Sequence, residues 1–181
     1  MSDRALSLLE EAYGADSTNL TYARALSAGY IEAGRMQDAL HINERLSEAD
    51  PEDDDVRYRL IQLYARTGEL KKGIQLATEL QKRFQPMPEA YGQLTKMKIQ
   101  LLALSKDSVA VGREYRAWAA LYPEDRRPYY DWILHLFQTG GAKEAEKQLA
   151  SDVRAGRISS GDATALRVHK YILQKDYPAA E

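Results

Sequence analysis

A recurrence of 34 residues constrains the fold of this chain more than any other feature of its sequence. The same step separates small, apolar and aromatic residues in four sets: Ala5, Ala39 and Gly73; Ala12, Leu46 and Leu80; Tyr30 and Tyr64; Gly34 and Gly68. Periods of this length are typical of repeat folds, in which each unit buries its apolar side against its neighbours. We therefore expect an array of short repeats.

The period of apolar residues within a repeat is helical. Leu60, Leu63 and Tyr64 return at intervals of three and four, which predicts one buried helix face. Oxygen side chains suited to capping free backbone N–H groups precede predicted helices, as at Asp53 and Ser159. Strand signals are absent. The expected helices are 2–14, 18–33, 36–49, 53–67, 70–84, 88–104, 107–121, 126–139, 142–155 and 160–174.

The repeats resemble the tetratricopeptide repeat family. Counted from Leu20, the first full repeat has Leu26, Tyr30, Gly34 and Ala39 at the places where this family has an apolar residue, Tyr, Gly and Ala. The resemblance implies an all-α fold, a right-handed superhelical solenoid of antiparallel helix pairs. It extends over 1–181 as a single array: the second helix of a partial repeat at 1–19, repeats at 20–53, 54–87, 88–125 and 126–160, and a partial repeat at 161–181.

The third repeat is longer than the others by four residues, which is about one helical turn. We expect an extended first helix that turns at 105–107 and locally offsets the stack. Gly73 also departs from the family, because it stands where Ala is usual and loosens its helix by up to ~1 kcal/mol.

Both ends of the chain resemble incomplete repeats, with a second helix at the start and another beginning near Ala180. Repeat arrays usually end in polar capping helices. We therefore expect a piece of a longer tetratricopeptide repeat protein. Uncapped terminal helices could also pair two copies of the chain as a homodimer.

Composition argues against several kinds of site. Without cysteine, the chain has no disulfide, thiolate metal site or cysteine nucleophile. Its formal net charge of −2 lacks the basic excess of a nucleic-acid binder. His41, His135 and His169 show no metal-ligand spacing and are interpreted as surface or groove residues. We expect no catalytic residues, metal or cofactor, no direct membrane insertion, and a soluble chain whose compartment, cytoplasmic or periplasmic, stays open.

The resemblance also implies where a partner binds, since the first helix of each pair lines the inner groove in this family. The family's groove positions include Arg24, Tyr58, Gln62, Arg66, Lys96, Tyr130, Leu134 and His169, and also Gly92, Phe137 and Asp162. Tyr58 and Tyr130 are the expected aromatic anchors. The cationic members could hold carboxylates or backbone carbonyls of the partner.

The leading hypothesis is a non-catalytic scaffold that holds a protein or peptide along this groove. The alternative is an accessory region of a larger bacterial envelope-assembly or polysaccharide-export protein, or of a multidomain enzyme. A third, an RNA-binding repeat of the pentatricopeptide type, is disfavoured by the acidic balance of charge.

Overall fold

Helices joined by short turns make up residues 3–173, the part that the computed structural model describes. Its helices are α1 (Asp3–Ala15), α2 (Leu20–Glu32), α3 (Met36–Ala49), α4 (Asp54–Thr67), α5 (Leu70–Arg83), α6 (Pro88–Leu104), α7 (Ser108–Leu121), α8 (Arg127–Gln138), α9 (Ala142–Arg154) and α10 (Ser160–Leu173). No residue of this range lies in a strand. The predicted all-α fold is confirmed, and the described ends of each helix fall within two residues of the prediction. The expected helix end at 174 and the final partial helix lie outside the described residues.

The helices form two compact units: unit 1, Met1–Asp107, and unit 2, Ser108–Glu181. Unit 1 contains α1 to α6, and unit 2 contains α7 to α10. The division falls between the two helices of predicted repeat 88–125. The single array and its repeat boundaries stay predictions.

Unit 1 is built from successive helices that each pack against the next. Leu26, Leu46 and Leu63 lie in one apolar cluster shared by α1 to α4. Ile61, Ala77, Leu80, Leu94 and Leu101 form a second cluster between α4, α5 and α6. The 34-residue recurrence therefore marks core positions: Ala39, Leu46 and Leu80 are almost completely buried.

A hydrogen bond between a tyrosine and a glutamate of neighbouring helices recurs in unit 1 with the same period, and we call it the polar tie. The Tyr30 hydroxyl donates to Glu10 Oε1 at 3.1 Å, and the Tyr64 hydroxyl donates to Glu44 Oε1 at 3.0 Å. A cation completes each tie, because Arg35 bonds Glu10 and Lys72 bonds Glu44. Each tie joins the first helix of a repeat to the second helix of the repeat before it.

The turns confirm the predicted stop and start signals. Gly34 and Gly68 close α2 and α4 with φ of 74° and 84°, a left-handed conformation that favours glycine. Asp53 caps α4 by accepting a hydrogen bond from the Val56 amide at 3.0 Å. The extended helix of the third repeat is present as α6, 17 residues long. It ends at the expected turn, where Lys106 has a φ of 60°.

Unit 2 has its own core between α8, α9 and α10, made of Ile133, Leu136, Phe137, Ala145, Leu149, Ile158, Ala163 and Leu166. On α7, the Trp118 ring is fully buried, and its Nε1 donates to Asp125 at 3.1 Å. The expectation that Phe137 faces the groove is wrong, since it lies in this core. Gly92 in unit 1 is also buried and does not face the groove, because it lies on the packed side of α6.

Candidate partner-binding surface

The groove residues predicted in unit 1 lie on its first helices α2, α4 and α6. On α4, Tyr58, Gln62 and Arg66 are spaced by four residues, so that they follow one side of the helix. Gln62 and Arg66 are exposed, and Tyr58 is half-buried. Arg24 on α2 is half-exposed and Lys96 on α6 is exposed. We call these five residues the first-helix surface.

Arg24 is already engaged within the chain. Its guanidinium pairs with the carboxylate of Asp53, the residue that caps the neighbouring first helix α4. The Val56 amide and the Arg24 guanidinium together hold the pKa of Asp53 below its usual value. Arg24 therefore links two first helices, and a partner carboxylate would have to compete with Asp53 for it.

Tyr58 offers an aromatic ring held in place from one side. It packs against Phe84, at the end of α5, with ring centroids 6.2 Å apart. Burial raises the pKa of its hydroxyl. Because the ring is only half-buried, its remaining surface is open to a second contact.

Arg66 reaches from α4 toward the start of α3. Its Nη1 lies 3.8 Å from the sulfur of Met36, which is a weak acceptor. The guanidinium is exposed and has donors left for other acceptors. Gln62, one turn earlier on α4, is the exposed amide between Tyr58 and Arg66.

The predicted groove residues of unit 2 lie on α8 and α10. The Tyr130 hydroxyl donates to Asp162 Oδ2 at 2.6 Å, which joins the two helices. Burial and this bond raise the pKa of Tyr130, while Ser159 and Tyr130 lower the pKa of Asp162. Leu134 is half-buried against the unit 2 core, and His169 is exposed.

An aromatic cluster in unit 2 escaped the sequence interpretation. Trp132 stacks on His135 with ring centroids 5.8 Å apart, and Tyr115 lies 5.4 Å from Trp132. Burial lowers the pKa of His135, whereas His41 and His169 are exposed. The i, i+3 spacing of Trp132 and His135 could have indicated this pairing, but the contact with Tyr115 on α7 had no signal in the sequence.

Two kinds of feature are absent from the described range 3–173. None of its helices has the length and apolar character that crossing a membrane requires. It also contains no group of three or more His, Asp or Glu residues placed to hold a metal ion.

The helix pairs, glycine turns and recurring tyrosines identify the repeats in unit 1. Residues 30–96 match the family model described as tetratricopeptide repeat. This segment of unit 1 resembles tetratricopeptide repeats. The second predicted repeat has Tyr64, Gly68 and Gly73 where the first has Tyr30, Gly34 and Ala39, and all three lie within the matched segment. Such repeats are typical of scaffolds for protein interactions.

Two solved structures are similar to this fold. One, a tetratricopeptide repeat protein from Parabacteroides merdae ATCC 43184, is 18% identical with a TM-score of 0.61, and the match covers 98% of this chain and 67% of that one. Another, the MamA protein, is 14% identical with a TM-score of 0.53, and the match covers 88% of this chain and 85% of that one. Among curated protein sequences no significant match is found.

Proposed function

We propose that this chain is a non-catalytic scaffold that holds an extended segment of another protein along the first-helix surface. The observation that carries the proposal is the row on α4, where a half-buried tyrosine, an exposed amide and an exposed arginine follow one side of the helix. Aromatic residues and arginine provide most of the binding energy of protein interfaces. In tetratricopeptide repeats the first helix of each pair lines the groove that binds a partner. The position of the row on α4, a first helix, therefore supports a role in binding.

The chemistry of the row favours a peptide backbone with acidic side chains. Gln62 offers both a donor and an acceptor to an extended main chain. Arg66 can bind a carboxylate through two parallel hydrogen bonds. Tyr58 offers an apolar face to a side chain of the partner, and Phe84 already restricts its motion, so that less side-chain entropy is lost on binding.

Site-specific photocrosslinking tests the surface without knowing the partner. A photoreactive phenylalanine analogue replaces Gln62 in one variant and Gln75, an exposed glutamine on the second helix α5, in the control. In a native lysate we expect a discrete crosslinked protein from position 62 and none from position 75. Equal crosslinking from both positions, or crosslinking from position 75 alone, would contradict the proposal.

Substitution of Tyr58 then measures what this ring contributes to binding. Tyr58→Ala is expected to weaken binding of the identified partner by about ten-fold or more, as for an interface hot spot. Tyr22→Ala, which removes an exposed tyrosine on α2, is the matched control and should leave the affinity within about two-fold. Circular dichroism of both variants distinguishes lost binding from lost folding. A folded Tyr58→Ala variant with unchanged affinity would remove Tyr58 from the site.

A further inference from the structure

When the four extra residues of the third repeat are allowed for, Arg116 on α7 takes the position within the repeat that Glu10 and Glu44 have in unit 1. Each glutamate lies 20 residues before the tyrosine that it binds. The residue 20 positions after Arg116 is Leu136, which is buried and has no hydroxyl group. The polar tie of unit 1 therefore has no counterpart here. Among the residues that the structure describes, Arg116 is exposed and has no ion pair or hydrogen bond.

Arg116 borders a small pocket between α7, α8 and α9. Aromatic rings and a proline dominate its lining, which consists of Tyr115, Arg116, Ala119, Pro128, Tyr129, Trp132 and Gln148. Its volume is about 80 Å³. A cavity of about 150 Å³ holds a benzene molecule. A pocket near half that size suits a group smaller than an aromatic ring, such as the ring of a proline.

The walls of the pocket are held in place by the chain itself. Gly112 lets the Trp132 indole lie close to the backbone of α7, since a Cβ at residue 112 would be 3.1 Å from Trp132 Cη2. The other side of the pocket is held by Arg157, whose guanidinium lies 5.3 Å from the Tyr129 ring and pairs with buried Asp152 at 2.7 Å. A ligand would therefore lose little binding energy to ordering these rings.

We propose that this pocket binds a prolyl residue of an extended peptide and that Arg116 holds a carboxylate next to that proline. Aromatic-lined sites recognise proline in extended peptides, whose conformation is largely fixed before binding. An exposed arginine without a partner supplies the complementary charge for an acidic neighbour. The proposal goes beyond the function proposed above, because it assigns a second site, on unit 2 and beside the second helices α7 and α9. Either site can fail without the other.

Nuclear magnetic resonance of the full chain tests the pocket directly. The chain has two tryptophans, so its spectrum contains two indole N–H signals, one from buried Trp118 and one from Trp132. The probe is the end-blocked tripeptide Pro-Glu-Pro. We expect a saturable shift of the Trp132 signal with a dissociation constant of about 1 mM or tighter. No saturable shift would overturn the proposal.

Three control peptides assign the chemistry. Ala-Glu-Ala and Leu-Glu-Leu replace the prolyl rings, and Pro-Gln-Pro removes the charge. Each is expected to bind about five-fold more weakly, which corresponds to losing one modest contact. Equal binding of Leu-Glu-Leu would overturn the assignment to proline. Equal binding of Pro-Gln-Pro would overturn the role of Arg116.

Two pairs of variants locate the site. Ala119→Leu fills the pocket, and its control Ala120→Leu adds the same side chain at an exposed position on the same helix. Arg116→Glu reverses the charge at the pocket, and Arg113→Glu reverses it one turn earlier. We expect each pocket variant to lose at least about five-fold in affinity for Pro-Glu-Pro and each control to keep it. Should Ala119→Leu fail to fold, Arg116→Glu decides, and wild-type affinity in a folded pocket variant would overturn the proposal.

Discussion

The two units share one plan of packed helix pairs but tie their helices together with different side chains. In unit 1, Tyr64 binds Glu44 and Lys72 completes the tie, as Tyr30, Glu10 and Arg35 do one repeat earlier. In unit 2 the corresponding places hold Arg116 and Leu136, so that the tie is absent. The comparison teaches that the apolar and small positions of the repeat specify the fold, while its polar positions are free to change. Surfaces particular to one unit arise at those polar positions.

The largest expected effect is on unit 2. Trp118 is completely buried, and Trp118→Ala should cost about 3–5 kcal/mol of unfolding free energy. Amide hydrogen exchange is expected to show lost protection across 108–173. Leu80→Ala, at a fully buried position of unit 1, is the control and should cost about 2–5 kcal/mol with lost protection in 3–107. A cost below about 1 kcal/mol for Trp118→Ala would show that unit 2 does not depend on this ring.

Features that recur along the chain or act locally could be predicted from the sequence, and contacts made only once could not. Helix ends were predictable because Gly34, Gly68 and Asp53 mark them by backbone and capping chemistry that acts locally. Core positions of unit 1 were predictable because they recur. Contacts made once, such as Trp132 with Tyr115, have no recurrence and no local signal.

The predicted surface shows the same limit. The family resemblance predicted that Phe137 faces the groove. In the structure Phe137 lies in the core of unit 2, because α9 and α10 cover it. The pairing of Tyr130 with Asp162 depends on how α8 meets α10, which a helical period does not specify. Placement of a residue on a helix was therefore predictable, but its contacts with other helices were not.

Two glycines, one in each unit, compare how tightly the helices of the two units pack. A Cβ at Gly73 in unit 1 would lie 2.9 Å from Leu101 Cδ2 and 3.1 Å from Tyr64 Cβ, which is held by its backbone. Gly73→Ala should therefore destabilise by about 1–2 kcal/mol, since overpacking outweighs the gain in helix propensity. The family's usual alanine is disfavoured here by the close approach of α5 to α4 and α6.

Gly112→Ala in unit 2 is the matched variant. Its Cβ would lie 3.1 Å from the tip of the Trp132 ring and 3.4 Å from the end of the flexible Arg116 side chain, so that a shift of a few tenths of an ångström relieves the contact. We expect a change within about 0.5 kcal/mol, because strain and helix propensity nearly cancel. Denaturation followed by circular dichroism for Gly73→Ala and by tryptophan fluorescence for Gly112→Ala measures the difference. Equal costs at the two glycines would mean that the indole is as immobile as the unit 1 core.

A conservative substitution isolates the polar tie itself. Tyr64→Phe removes the hydroxyl that binds Glu44 and should cost about 1 kcal/mol, which urea denaturation at neutral pH measures. Tyr22→Phe, at an exposed tyrosine, is the control and should cost almost nothing.

The pH dependence gives the tie a second signature. Burial and the bond to Glu44 raise the pKa of Tyr64 from its ordinary 10.0 to about 12. The unfolded chain therefore loses this proton first, and the stability that Tyr64 contributes is intact below pH 10 and lost as pH rises toward 12. Tyr64→Phe should lose less stability than the wild type between neutral pH and about pH 11. If the two proteins lose the same amount, the tie contributes no pH-dependent stability.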